Sequence, residues 1–308
     1  MLELEFGFLP EKLDVTFNDV GISTLPQFDE VVASVRSSPN VRQKWFYPGT
    51  QKWLSPKEKE ITEDPFTIRV FGLPVTHRIS GTPTIDREYL QFVLWVLSFF
   101  KGMRLTGLRQ GFLDTTPIEV YTLVDFMTLG DEVGPLRLAE KFWANNRSEP
   151  VQRERLCKAI HSMFISCNPR LMDFETFLFL YSALDTCFAM MRHRKPGKDE
   201  GSHAGRVAWM CKQFNLPVPP WAILRPDPNG KPNKFETEIS ALRNELIHEA
   251  SYAGEPLGFA FEPLFSNRNL AYEMKCVACR ILAAMLGVSD KDYLNSGTDH
   301  YGRRLLRL

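Results

Sequence analysis

The chain has 308 residues, and at about 100–200 residues per domain it is long enough for two domains. Hydrophobic residues make up 44% and charged residues 24%, a balance that excludes global disorder and collagen-like repetition. Lys and Arg total 37 against 37 Asp and Glu, so no overall basic field marks the chain as a nucleic-acid binder.

Residues 1–150 read as a strand-containing domain. MLELEF alternates apolar and polar residues, and Phe66–Phe71 (FTIRVF) repeats that period of two. Eight prolines from Pro10 to Pro83 break up this stretch, leaving room for one short helix near Phe28–Arg36. A longer helix is predicted to start at Asp86, whose carboxylate suits an N-cap, and another covers Gly134–Trp143. The most apolar run, Tyr89–Phe100, has twelve residues and includes Gln91 and Ser98. A membrane span needs about 20, so this run is expected to be a buried helix. The N-terminus lacks a basic segment followed by a long apolar stretch, so a cytoplasmic chain with no membrane association is expected.

The polar stretch Asn145–Pro150 is the expected domain boundary, and residues 151–308 read as almost wholly helical. Helices are predicted over Gln152–Cys167, Asp173–Met191, Gly205–Phe214, Phe235–Tyr252 and Asn269–Leu286. A basic loop, Arg192–Lys198, follows the second of these. A Pro/Gly-rich loop of the length usually kept for function precedes the fourth. The fold class expected is therefore α+β, a strand-containing N-terminal domain followed by an all-α bundle. The halves differ in charge: 16 basic and 20 acidic residues before residue 151, 21 and 17 after it. An anionic ligand favours the second half.

Six cysteines are too few for a disulfide framework, and Cys276-Val277-Ala278-Cys279 lies in an apolar run with no nearby histidine. Those two read as small buried helix residues. His193 and His203, with Cys187 and Cys211, match no familiar metal spacing. Neither metal nor cofactor is expected.

The segment Phe235–Tyr252 carries the candidate chemistry. On a helical wheel Phe235, Ile239, Leu242, Leu246 and Ala250 form one apolar stripe. The opposite face, Thr237, Ser240, Ala241, Asn244, Ile247, His248 and Ser251, has no Lys or Glu, so a second surface is expected to cover it. Arg243 lies on the flank between them.

Arg243-Asn244-Glu245-Leu246-Ile247-His248 resembles the Arg-Asn-x-x-x-His signature of the HEPN superfamily, small all-α domains whose ribonuclease members act as metal-free dimers. Phe177–Asp185 resembles the long helix with an acidic residue that precedes the motif helix. Asn269–Leu286 resembles the helix that closes the domain. The resemblance covers roughly Val151 to Val288 and looks most like the Apea-like branch. It implies that His248 moves protons and Arg243 holds the phosphate, while Asn244 fixes the imidazole or a phosphate oxygen. RNA would be cleaved to a 2′,3′-cyclic phosphate and a 5′-OH. It also implies a homodimer through the motif helix, a role in phage defence or a toxin-like response, and a regulator or antitoxin as partner. The N-terminal half, unmatched, is expected to sense something.

Arg192, Arg194, Lys195 and Lys198 could extend an RNA groove, as could Arg303, Arg304 and Arg307. Arg155 and His161 repeat the arginine–histidine spacing but lack the adjacent asparagine. Two other readings stand beside the nuclease: a non-catalytic HEPN module for dimerisation or for nucleotide or partner binding, and an adaptor with a coincidental motif. In either, Arg243 would serve as a structural ion-pair partner, for example of Asp185, and His248 as a satisfied interface residue.

Overall fold

Alternation in Leu2–Phe6 (β1) buries Leu4 and Phe6 and turns Glu3 and Glu5 outward. The computed structural model describes residues 2–49, 51–54, 61–64, 72–107, 115–194, 203–226, 235–248, 270–298 and 302–308. The second predicted strand, Phe66–Phe71, lies outside them.

The chain divides into two units, Met1–Ala144 with Asn168–Arg170, and Asn145–Cys167 with Leu171–Leu308. In the first, β2 (Val15–Phe17) and β3 (Val20–Thr24) follow β1. Helix α1 (Phe28–Arg36) comes next and buries Phe28, Val32 and Val35, one helical stripe. Four short strands come next: β4 (Val41–Arg42), β5 (Trp45–Phe46), β6 (Gln51–Leu54) and β7 (Ile61–Asp64), with β6 and β7 antiparallel. Strand β8 (His77–Gly81) is the centre of the main sheet. It pairs antiparallel with β1 from Leu2↔Gly81 to Phe6↔His77, and with β3 from Val20↔Gly81 to Thr24↔His77. Strand β2 closes the order β1-β8-β3-β2.

Helix α2 (Arg87–Lys101) begins where the Asp86 carboxylate accepts the Tyr89 N–H at 2.7 Å. It stops at Gly102, whose positive φ of 54° suits glycine. Between these caps it is buried nearly all round, with Phe99 and Phe100 against Phe126. The unit also holds β9 (Thr116–Pro117), paired with β5, then β10 (Phe126–Thr128) and α3 (Gly134–Asn145).

The second unit is mainly helical. Helices α4 (Pro150–Ser166), α5 (Asp173–Arg194) and α8 (Leu270–Leu286) form its core. Leu156, Ile160 and Met163 of α4, Leu180 and Leu184 of α5 and Ile281 of α8 are all fully buried or nearly so where these helices pack. Helix α5 alone among the described residues is long and apolar enough to cross a membrane. Its packing against α4 and α8 accounts for that apolarity. Helix α6 (Arg206–Gln213) follows a 3-10 turn at His203–Gly205, and a second such turn occupies Pro220–Ala222. Trp221 in that second turn is fully buried, its indole N–H donating to Glu273 of α8 at 3.0 Å.

The unit is not wholly α. Strands β11 (Arg225–Pro226) and β12 (Phe235–Glu236) pair antiparallel. Helix α7 (Glu238–His248) follows directly, and α9 (Lys291–Leu294) and β13 (Arg304–Leu306) come after α8.

Candidate functional site

Helix α7 starts three residues later than its apolar pattern predicts, because Thr237 and Ser240 cap it. The Thr237 N–H donates to Ser240 Oγ at 2.9 Å, and the Ser240 N–H donates to Thr237 Oγ1 at 3.3 Å. Both residues are buried, which corrects the expectation that they belong to an uncharged outer face. Phe235 is likewise not in the core stripe. It is held in β12 opposite Pro226 and is 54% exposed. Ile239 and Leu246 are buried as the wheel predicts. The exposed side of the helix carries Asn244, Ile247 and His248, with Ile247 48% exposed. Ala250 and Ser251 lie outside the described residues.

Arg243, Asn244 and His248 come together. The Arg243 guanidinium is half-buried on the flank and curls toward the exposed side. Its Nη1 donates to Asn244 Oδ1 at 3.0 Å and approaches His248 Nε2 at 3.0 Å. A guanidinium can only donate, so Nε2 accepts and the neutral ring carries its proton on Nδ1. Asn244 Oδ1 is taken by the same donor, which leaves the amide nitrogen to give hydrogen bonds elsewhere.

A second polar group lies on α5 and α6. The His203–Gly205 turn packs against α7 and β12, while α6 packs against α5. Arg206, the first residue of α6, forms a close ion pair with Asp185 of α5, and its guanidinium lies 4.8 Å from the centre of the Phe188 ring. Asp185 thus pairs with Arg206 and not with Arg243, and among the described residues no carboxylate forms an ion pair with Arg243. Burial first, then the guanidiniums of Arg206 and Arg243, lowers the pKa of His203, with Asp185 opposing them. The Tyr181 hydroxyl is pushed up by burial and by Asp185, so it stays protonated as a donor. The Nε–H groups of both Arg206 and Arg243 are buried without an acceptor among the described residues.

Arg206 and Tyr181 escape a reading of the sequence. Neither belongs to a motif, and only the packing of α6 on α5 brings Arg206 to Asp185. His203 is visible in the sequence only as a member of a set that matches no familiar metal spacing.

The remaining candidates are scattered. Arg192 is exposed but helical, since α5 runs through Arg194 where a loop is predicted. Arg194 is the last residue of that helix, and Lys195 and Lys198 lie outside the described residues. His193 approaches Glu149 at 3.7 Å. Arg307 is occupied by α9, its guanidinium donating to Asp292 at 3.1 Å and its backbone N–H to Asp290 at 2.8 Å. Arg304 lies in β13 and Arg303 just precedes it. Arg155 and His161 sit half-buried in α4.

Cys276 and Cys279 are buried in α8, with the Cys279 Sγ 3.6 Å from the Met163 sulfur. Burial pushes the thiols of Cys187 and Cys211 up to about 12, far from the reactive range. Among the described residues no three His, Cys, Asp or Glu side chains cluster as metal ligands would.

No protein-family model matches the chain, and no curated protein or solved structure matches it.

Proposed function

We propose that this chain is a metal-independent endoribonuclease of HEPN type that works as a homodimer through α7. One observation carries the reading: the Arg243 guanidinium lies 3.0 Å from both His248 Nε2 and Asn244 Oδ1 on the exposed side of one helix. Imidazole, guanidinium and carboxamide are the groups that RNA transesterification needs, and RNA supplies its own nucleophile in the 2′-OH.

In this mechanism the scissile phosphate draws Arg243 off His248, and the freed Nε2 takes the proton of the 2′-OH. The O2′–P bond forms as the P–O5′ bond breaks. Arg243 balances the charge that builds on the phosphoryl oxygens. The departing O5′ takes a proton from a second acid, for which His248 of a second copy across the dimer is the natural donor. The products are a 2′,3′-cyclic phosphate and a 5′-OH. Phage defence or a toxin-like stress response, restrained by a regulator, is the setting that suits such an activity.

The test is direct. Wild-type protein should cleave RNA in EDTA to ends of that chemistry, while His248→Ala and Arg243→Ala remain folded and inactive. Cleavage by both variants at the wild-type rate overturns the proposal. A non-catalytic dimerisation or binding module is the second reading. It is favoured by the exposure of Ile247 between Asn244 and His248, where an apolar side chain suits a docking partner. Intact RNA in the wild-type reaction would select it.

A further inference from the structure

We infer that the β11–β12 ribbon belongs to the surface on which a second copy of this chain docks, with Phe235 as its apolar anchor. This rests on the homodimer of the ribonuclease reading and gives that dimer a contact beyond α7.

The motif helix is too small to hold two copies together alone. Its 11 residues span about 16 Å at a diameter of about 10–12 Å, so one side covers a footprint of roughly 200 Å². A stable interface buries about 800 Å² on each partner. Helix α7 offers it one exposed large apolar side chain, Ile247. The remaining area must come from elements that adjoin the helix.

Those elements are where apolar surface is exposed. Of the nine large apolar side chains exposed among the described residues, four lie within residues 223–247: Ile223, Leu224, Phe235 and Ile247. Phe235 is the one aromatic of the nine. Its backbone is held in place. It stands opposite Pro226 in the antiparallel pair, which puts both side chains on one face of the ribbon. The His203–Gly205 turn packs against both β12 and α7, and the Pro220–Ala222 turn, just before Ile223, packs against α7. Trp221 roots that second turn, fully buried and donating to Glu273. Apolar side chains carried on a fixed backbone lose little freedom on docking.

The charge pattern selects a second copy over a nucleic-acid strand. Arg225 and Glu236 stand opposite each other, so the ribbon carries no unbalanced cation for a phosphate. A face without net charge, set against itself about a two-fold axis, meets no like-charge repulsion.

The test is the oligomeric state of the full-length protein by sedimentation equilibrium. Wild type should dimerise, and Phe235→Ala should raise the dimer dissociation constant roughly 100-fold, because the anchor is lost from both copies. Leu224→Ala should raise it by a smaller factor, and it stands in if Phe235→Ala does not fold. Leu129→Ala, which removes a similarly exposed side chain of the first unit, should leave it within about twofold. Hydrogen exchange at Leu224, Arg225 and Glu236 should be slower above the dimer midpoint than below it. RNA cleavage by Phe235→Ala should fall in dilute protein and recover once the concentration passes the new midpoint, since Phe235 is not one of the reacting groups. The ribbon contact is overturned if Phe235→Ala leaves the dissociation constant unchanged, including the case where it weakens RNA binding instead and so marks a stacking surface. It is also overturned if Leu129→Ala weakens the dimer as much. A wild-type chain that stays monomeric overturns both this contact and the dimer of the ribonuclease reading, a result distinct from a dimer indifferent to Phe235.

Discussion

Arg243 and His248, five residues apart on α7, share a hydrogen bond in which the guanidinium occupies the one ring nitrogen able to accept a proton. In the proposed reaction the arginine would have two jobs that exclude each other in time. Without a phosphate it holds the imidazole in the Nδ1–H tautomer, and on the proposed mechanism a bound phosphate would draw it away and leave Nε2 open to the 2′-OH. A lysine could supply the charge but not two donors in one plane.

Arg243→Lys should therefore lower single-turnover RNA cleavage by roughly 100-fold, the scale of losing one preorganised donor. Asn244→Ala, which removes an acceptor that steadies Arg243, should cost less, about tenfold. Neither change touches the core, so melting temperatures should stay within a few degrees of wild type. A cleavage time course in EDTA beside a thermal melt checks both.

Ile247 is exposed between Asn244 and His248, and the proposed dimer through α7 would bury it. Ile247→Asp should leave the monomer's stability within about 0.5 kcal/mol, as expected for a surface position. It should convert the dimer to monomer in sedimentation and abolish cleavage. A dimer of unchanged affinity would show that the motif helix is not the interface.

Thr237 and Ser240 close the N-terminal end of α7 through reciprocal hydrogen bonds. Thr237→Val or Ser240→Ala should each destabilise the second unit by about 1 kcal/mol, the usual cost of a lost cap. Denaturant unfolding should show a lower midpoint with an unchanged slope.

His77 in β8 is fully buried, stacked on Phe6 with centroids 5.5 Å apart and edge-on to Phe28. Its Nδ1 lies 2.9 Å from Thr76 Oγ1. Burial first, and Lys101 also, lowers its pKa from 6.5 to about 4, against the opposing pull of Asp14. Because the folded value is depressed, the unfolded chain binds the extra proton between these two values. The stability it contributes is complete above pH 6.5 and is lost as the pH falls toward 4, at most about 3 kcal/mol. Unfolding free energies of the first unit at pH 7 and pH 5 should differ by less in His77→Gln than in wild type.

Gly102 ends α2 with φ of 54°, and a Cβ there would lie 2.6 Å from the Tyr121 Cα. Backbone cannot yield as a flexible side chain does, so Gly102→Ala should cost more than about 1 kcal/mol. A melting temperature at or above wild type would contradict this.

What the amino-acid order determines by itself is local. The Asp86 cap, the Phe28–Arg36 stripe, the alternation in β1 and the placing of Arg243, Asn244 and His248 on one helix all depend on neighbours a few residues apart. Such features follow from the periods of helix and strand and from side chains reaching their own backbone. Only the tertiary structure decides that Asp185 serves Arg206, that Thr237 and Ser240 turn inward, that Phe235 belongs to a strand, and that His203 stands beside α7. Those are pairings between segments distant in the chain, and their partners are selected by how helices pack, which no spacing of residues encodes.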